Sequence, residues 1–183
     1  MGTLWVGWAA VSLDAKDLTA FELVAAGNQY VSEASKNHVV QIRSDKSVGS
    51  LVPEFWYVVY YDPSATLKAV EVKFGGGKEM EVKRPMRLLE PMRGNQRVLD
   101  SDKLKVDSDR ALSIALAEPL LKNINLKATQ FWLEHGDLGP RWRIRLWASK
   151  INNPSKLEDI GEIFVAADSG QVIKDDLHLG RLD

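Results

Sequence analysis

The chain has 183 residues, with 24 Lys and Arg against 25 Asp and Glu and 45% hydrophobic side chains. That is the composition of a folded protein, and a net charge of −1 creates no overall field for nucleic acid or an acidic membrane, leaving only local patches. The absence of cysteine excludes disulfides, thiolate catalysis and cysteine-bound metal, and no apolar run approaches the roughly 20 residues of a membrane-spanning helix.

Residues 1–13 form an apolar segment. Thr3-Leu4-Trp5-Val6-Gly7-Trp8-Ala9-Ala10-Val11 resembles the core of a signal sequence, but the first basic residue is Lys16, downstream of it. It is either a signal remnant, which implies export, or an arm lying on the core of a cytoplasmic protein.

A first unit follows at 14–84. Leu18, Phe21, Val24, Ala25 and Val31 recur at helical spacing, so a helix is expected over 14–37 with Asp14 or Asp17 as its N-cap. Gly27 and Asn28 weaken its middle. Residues 38–43 read as a short strand and 44–53 as a Ser- and Gly-rich loop. The strand 55–61 is apolar on both faces, with Trp56, Val58 and Tyr60 on one and Tyr57, Val59 and Tyr61 on the other. Residues 68–74 and 78–83 form a hairpin around Gly75-Gly76-Gly77.

Residues 85–106 are a connector containing Pro85, Pro91 and Gly94, with Met86, Leu88, Leu89 and Met92 available for packing. The second unit occupies 107–183. It opens on a helix capped by Asp107 or Ser108, carrying Ala111, Ile114 and Ala115 and ended by Pro119. Strands are expected at 126–134, 141–147 and 158–166, with a return at 171–174 after the turn Ala167-Asp168-Ser169-Gly170.

The two units share one order: helix, strand, Trp-led strand, hairpin on a glycine turn. Trp142 lies 86 positions after Trp56, and Val70 and Val72 match Ile163 and Val165 at an offset of 93. The fold class expected is therefore α+β, as two tandem units, each a helix packed on an antiparallel sheet. Units of about 70 residues have marginal cores and gain from pairing.

Trp142-Arg143-Ile144-Arg145-Leu146, followed by Gly161-Glu162-Ile163-Phe164-Val165-Ala166-Ala167-Asp168-Ser169-Gly170-Gln171-Val172-Ile173, resembles the C-terminal half of a PepSY domain. The likeness covers 107–176; in the first unit Gly75-Gly76-Gly77 stands where the family has Asp-Ser-Gly. The resemblance implies cystatin-like α+β units, usually exported (periplasmic or secreted), found in peptidase propeptides and stand-alone proteins and proposed in some cases to regulate peptidases. It carries no catalytic residue across.

The residues themselves indicate no catalysis. His38, His135 and His178 are far apart in dissimilar contexts. Gly75-Gly76-Gly77-Lys78 lacks phosphate-loop spacing, and the acidic run from Asp100 to Asp109 lacks the glycine and terminal glutamate of an EF-hand. No catalytic residue, metal site or cofactor is expected.

Two surfaces stand out. Arg141, Arg143 and Arg145 share one strand face, either as solvated charges balanced by neighbouring acids or as an anion-binding row. Tyr57, Val59 and Tyr61 offer an apolar face, either buried internally or held for a partner. The function expected is a non-catalytic binding or regulatory module acting on a protein or peptide, with a small-ligand pocket between helix and sheet as the alternative; no nucleic-acid partner is expected.

Overall fold

The computed structural model describes residues 18–84 and 98–183. The apolar segment 1–13, Asp14, Asp17 and the connector residues from Pro85 to Met92 and Gly94 lie outside the described residues.

The first helix, α1, spans Ala20–Gly27. Thr19 and Glu22 set its start as a reciprocal capping box: the Thr19 side chain accepts from the Glu22 N–H, and the Glu22 carboxylate accepts from the Thr19 N–H at 2.8 Å. The helix is far shorter than 14–37. Beyond the Gly27-Asn28 pair it tightens to a 3-10 turn at Asn28–Tyr30, and the Asn28 side chain bonds across to Asn37, which sits at φ 60°. The second helix, α2, spans Ser108–Leu116 with Asp107 as N-cap. Pro119 opens a 3-10 turn at Pro119–Leu121.

The strands are β1 (Val39–Ser44), β2 (Phe55–Tyr61), β3 (Ala69–Gly75), β4 (Lys78–Lys83), β5 (Leu126–Gly136), β6 (Gly139–Ser149), β7 (Leu157–Ala166) and β8 (Val172–Leu177). They form one eight-stranded antiparallel sheet in the order β4-β3-β2-β1-β5-β6-β7-β8. This corrects the expected fold class. The described chain is mainly β, a single sheet with two short helices, and not two tandem α+β units with a sheet each. The physical reason lies in the free edges of β1 and β5. Each would leave unpaired N–H and C=O groups in a separate unit, and here they pair with each other, Ile42 opposite Leu133 and Arg43 opposite Trp132.

Register relates the two sides of that seam. Trp56 lies opposite Phe74 and Val58 opposite Val72; Trp142 lies opposite Val165 and Ile144 opposite Ile163. Val72 therefore corresponds to Ile163 and Phe74 to Val165, two residues away from the match made at an offset of 93.

Both helices pack on one face of the sheet. Trp56, Val58, Tyr60, Val72, Phe131 and Trp142 are among the buried side chains there, with Leu23, Ala111 and Ala115 supplied by the helices. The Trp56 and Phe131 rings meet across the seam at 5.5 Å, Phe131 stands edge-on to Trp142 at 6.1 Å, and Phe21 of α1 closes on Trp142 at 6.3 Å. Each indole satisfies its donor on a backbone carbonyl just outside the sheet: Trp56 donates to Pro53 and Trp142 to Val106. The N-termini of the two helices meet at Asp107-Ser108. The Asp107 carboxylate accepts from the Phe21 N–H at 3.1 Å and from its own helix at Ser108, while the Ser108 hydroxyl accepts from the Ala20 N–H.

α1 is held down by a close approach. The Tyr60 hydroxyl donates to the Val24 carbonyl at 2.9 Å, and a Cβ on Gly27 would sit 2.2 Å from that hydroxyl. Gly27→Ala, which gains about 1 kcal/mol of intrinsic helix propensity, should therefore cost a net 1–3 kcal/mol or so through overpacking. Chemical denaturation of Gly27→Ala alone and in a Tyr60→Phe background checks this: the penalty should shrink once the hydroxyl is gone, and a stabilised single variant would contradict the contact.

Candidate functional site

Strand alternation sends every second side chain to the face opposite the helices. Register aligns these outer-face residues into rows running across the sheet. One row carries Lys73, Tyr57, Arg43, Trp132, Arg143 and Phe164, in that spatial order from β3 to β7. The six residues singled out from sequence, Tyr57, Val59, Tyr61, Arg141, Arg143 and Arg145, thus belong to one continuous surface, with the tyrosines on one side of the seam and the arginines on the other. Val59 is buried at 5% exposure although it lies on the outer face. Tyr57 and Tyr61 are half-buried.

Each arginine is tied twice, to an acid and to a ring. Arg141 bonds Glu134 at 3.2 Å and lies 4.8 Å from the Phe164 centroid. Arg143 reaches Glu134 at 3.3 Å and Glu162 at 3.4 Å, and covers Trp132 at 4.1 Å. Arg145 donates to Asp159 through Nε at 2.8 Å and through a terminal nitrogen, and lies 5.4 Å from Trp147. Across the seam, Arg43 covers Tyr57 at 4.3 Å and bonds the buried Glu71 at 2.7 Å, with Lys83 on the other Glu71 oxygen at 3.2 Å. The Tyr57 hydroxyl donates to Asp45.

These pairings set the local charge of the arginine row. Glu134, Glu162 and Asp159 lie against the three guanidinium groups and offset their charge. Stacking sets the rings against the planar cations along the outer face of the sheet. Lys46 and Lys73 complete it, each over a ring, Trp147 at 4.3 Å and Phe55 at 5.1 Å. The Nε atoms of Arg141 and Arg143 are buried without an acceptor.

Sequence reasoning missed Trp132, Trp147, Phe164, Arg43 and the acids Glu134, Glu162 and Asp159. The alternation of Gln130, Trp132 and Glu134 against Phe131 and Leu133 carried the signal, as did Glu162 and Phe164 against Ile163 and Val165. Among the described residues, no three metal-ligating side chains converge. The three histidines stay apart, and the nearest charged partner of His178 is Asp176 at 3.8 Å. Among the described residues, the Trp56, Phe131 and Trp142 rings pack between the helices and the sheet. An open groove of about 440 Å³ lies at the β5–β6 hairpin end, lined by Leu138, Pro140, Arg141, Asp168 and Ile173 among others.

Burial raises the Asp159 pKa, but the Arg145 guanidinium and the Gly161 N–H outweigh burial and hold the carboxyl below its usual range. Asp62 is lowered in the same way, burial being overcome by the Ser64 hydroxyl and N–H and by Arg84. A carboxyl depressed in the folded state contributes stability that is full above its unfolded pKa and is lost as pH falls through the folded value. Asp159→Asn should lower stability at neutral pH and flatten the loss seen below about pH 4. Urea titrations at several pH values check this; an unchanged acid limb would contradict the ion pair. No family model, curated protein or solved structure matches this chain.

Proposed function

We propose that this protein is a non-catalytic binding or regulatory module of PepSY-like type, and that it engages a protein or peptide partner through the outer face of its sheet. The observation that carries this is a surface built of Trp132, Trp147, Tyr57, Tyr61 and stacked arginines on the face opposite both helices. Trp, Tyr and Arg are the residues that dominate interface energetics, because they bury large area at low entropic cost and still offer hydrogen bonds at the rim. Stacking lowers that cost further by fixing each ring before a partner arrives.

The sheet edges support the face as the contact surface. β4 presents Lys78, Glu79, Glu81 and Lys83, and β8 presents Lys174, Asp175 and Asp176, charges that discourage strand addition. Modulation of an exported peptidase is the regulatory role that the PepSY resemblance suggests.

The test measures turnover by a panel of purified metallopeptidases with and without the protein, alongside affinity capture from an extract of the source cells. Slowed turnover or a captured partner is expected, and Trp132→Ala or Arg143→Glu should weaken the effect by roughly tenfold or more. Tyr30→Ala, off this face, should leave it unchanged. Absence of both inhibition and a captured partner, or equal loss in all three variants, would remove the outer face as a binding surface.

A further inference from the structure

The outer face leaves hydrogen-bond donors open where its carboxylates are engaged. The two core indoles are satisfied, Trp56 on the Pro53 carbonyl and Trp142 on the Val106 carbonyl. Trp132 and Trp147, half-buried on the outer face, have no acceptor for their indole N–H among the described residues. The acids beside them are taken. Glu71 holds Arg43 and Lys83, one on each oxygen, and Glu134 holds Arg141 and Arg143 in the same way. Asp159 is shared between Arg145 and the Gly161 N–H. A guanidinium carries five N–H groups, and Arg43 meets Glu71 through one terminal nitrogen, so further donors stay open in the row.

Register also spaces the rings. Tyr57 on β2, Trp132 on β5 and Phe164 on β7 share one row, with Arg43 on β1 and Arg143 on β6 between them. A ring therefore recurs at every second strand. Neighbouring strands lie about 4.8 Å apart, which makes the step from ring to ring about 9.6 Å. A polyproline II helix rises about 3.1 Å per residue with three residues per turn, a repeat of about 9.3 Å. The two repeats match.

We infer that the ligand of this face is a proline-rich peptide in the polyproline II conformation, running across the strands. This ligand class presupposes the outer face as the binding surface. One turn of the peptide meets Tyr57 and the next meets Trp132, with Arg43 between them. Phe164, one step further, is 9% exposed with Arg141 and Lys174 over its ring, so a third turn rests on those cations' stems. Proline has no backbone N–H and so asks no acceptor of a face whose acids are engaged. Polyproline II makes no internal hydrogen bonds, which leaves its carbonyls free to accept from Trp132 and Arg43. Its apolar rings pack on aromatic side chains. An acidic peptide would instead find each arginine of β6 already facing a carboxylate.

A fluorescently labelled peptide of about nine prolines, three turns long, is titrated with the full chain and followed by anisotropy. Peptides of the same length made of Gly and Ser, and of Glu, are titrated alongside. Saturable binding of the proline peptide is expected, with the Gly-Ser peptide roughly tenfold weaker or more. Tyr57→Ala and Trp132→Ala should each weaken the proline peptide roughly tenfold or more. Trp132→Phe keeps a ring and removes the donor, so a smaller loss of roughly threefold to tenfold should be seen. Tyr30→Ala, off this face, should change nothing. Circular dichroism and thermal melts of each variant establish that the fold is kept. No binding of the proline peptide, equal binding of the Gly-Ser peptide, tighter binding of the Glu peptide, or an equal loss in Tyr30→Ala would each overturn the ligand class. Should that happen while Trp132-dependent inhibition or capture persists, the outer face stands and only the proline ligand falls.

Discussion

The pairing of β1 with β5 is the constraint on which the rest of this structure depends. It is a short contact, Ile42 opposite Leu133 and Arg43 opposite Trp132, yet it makes one sheet out of two sets of four strands. Side chains extend it where the backbone ladder stops. The Ser44 hydroxyl accepts from the Phe131 N–H, the Gln130 side chain donates to the Ser44 carbonyl, and Ser47 bonds Thr129 further along. Small buried hydroxyls at Ser44, Ser47 and Thr129 are therefore used to satisfy backbone groups at the seam. Above it, Trp56 meets Phe131 and Phe131 meets Trp142, so the apolar layer under the helices runs across the junction without a break. Separating the halves would expose these rings and the edges of both strands at once, and each large aromatic is worth several kcal/mol of burial.

The same pairing creates the outer face. Because Arg43 sits opposite Trp132, the guanidinium and indole rows of the two halves merge into one band, and each cation finds a ring on its own strand or the next one. Stacking and acid pairing act together there. The carboxylates remove the repulsion that Arg141, Arg143 and Arg145 would feel on one strand, and the rings shield the aliphatic stems. The band is thus nearly neutral, each guanidinium held between an acid and a ring.

Local patterns made much of this legible. Alternation gave β2, β3 and the core faces of β6 and β7, because a period of two is written in each strand alone. Asp107 as a cap and the Gly75-Gly76-Gly77 turn were readable for the same reason. The seam was not: β1 is six residues long, and nothing in Val39 to Ser44 names a partner about ninety positions away. Once that pairing is unknown, a repeated order of elements reads naturally as two separate sheets. The helix 14–37 was overdrawn because apolar spacing continued past Gly27, whereas Tyr60 requires glycine there and the asparagine pair turns the chain. In the surface row, the arginines were visible but their neutralisation was not, since Glu134, Glu162 and Asp159 come from other strands and meet them only through register.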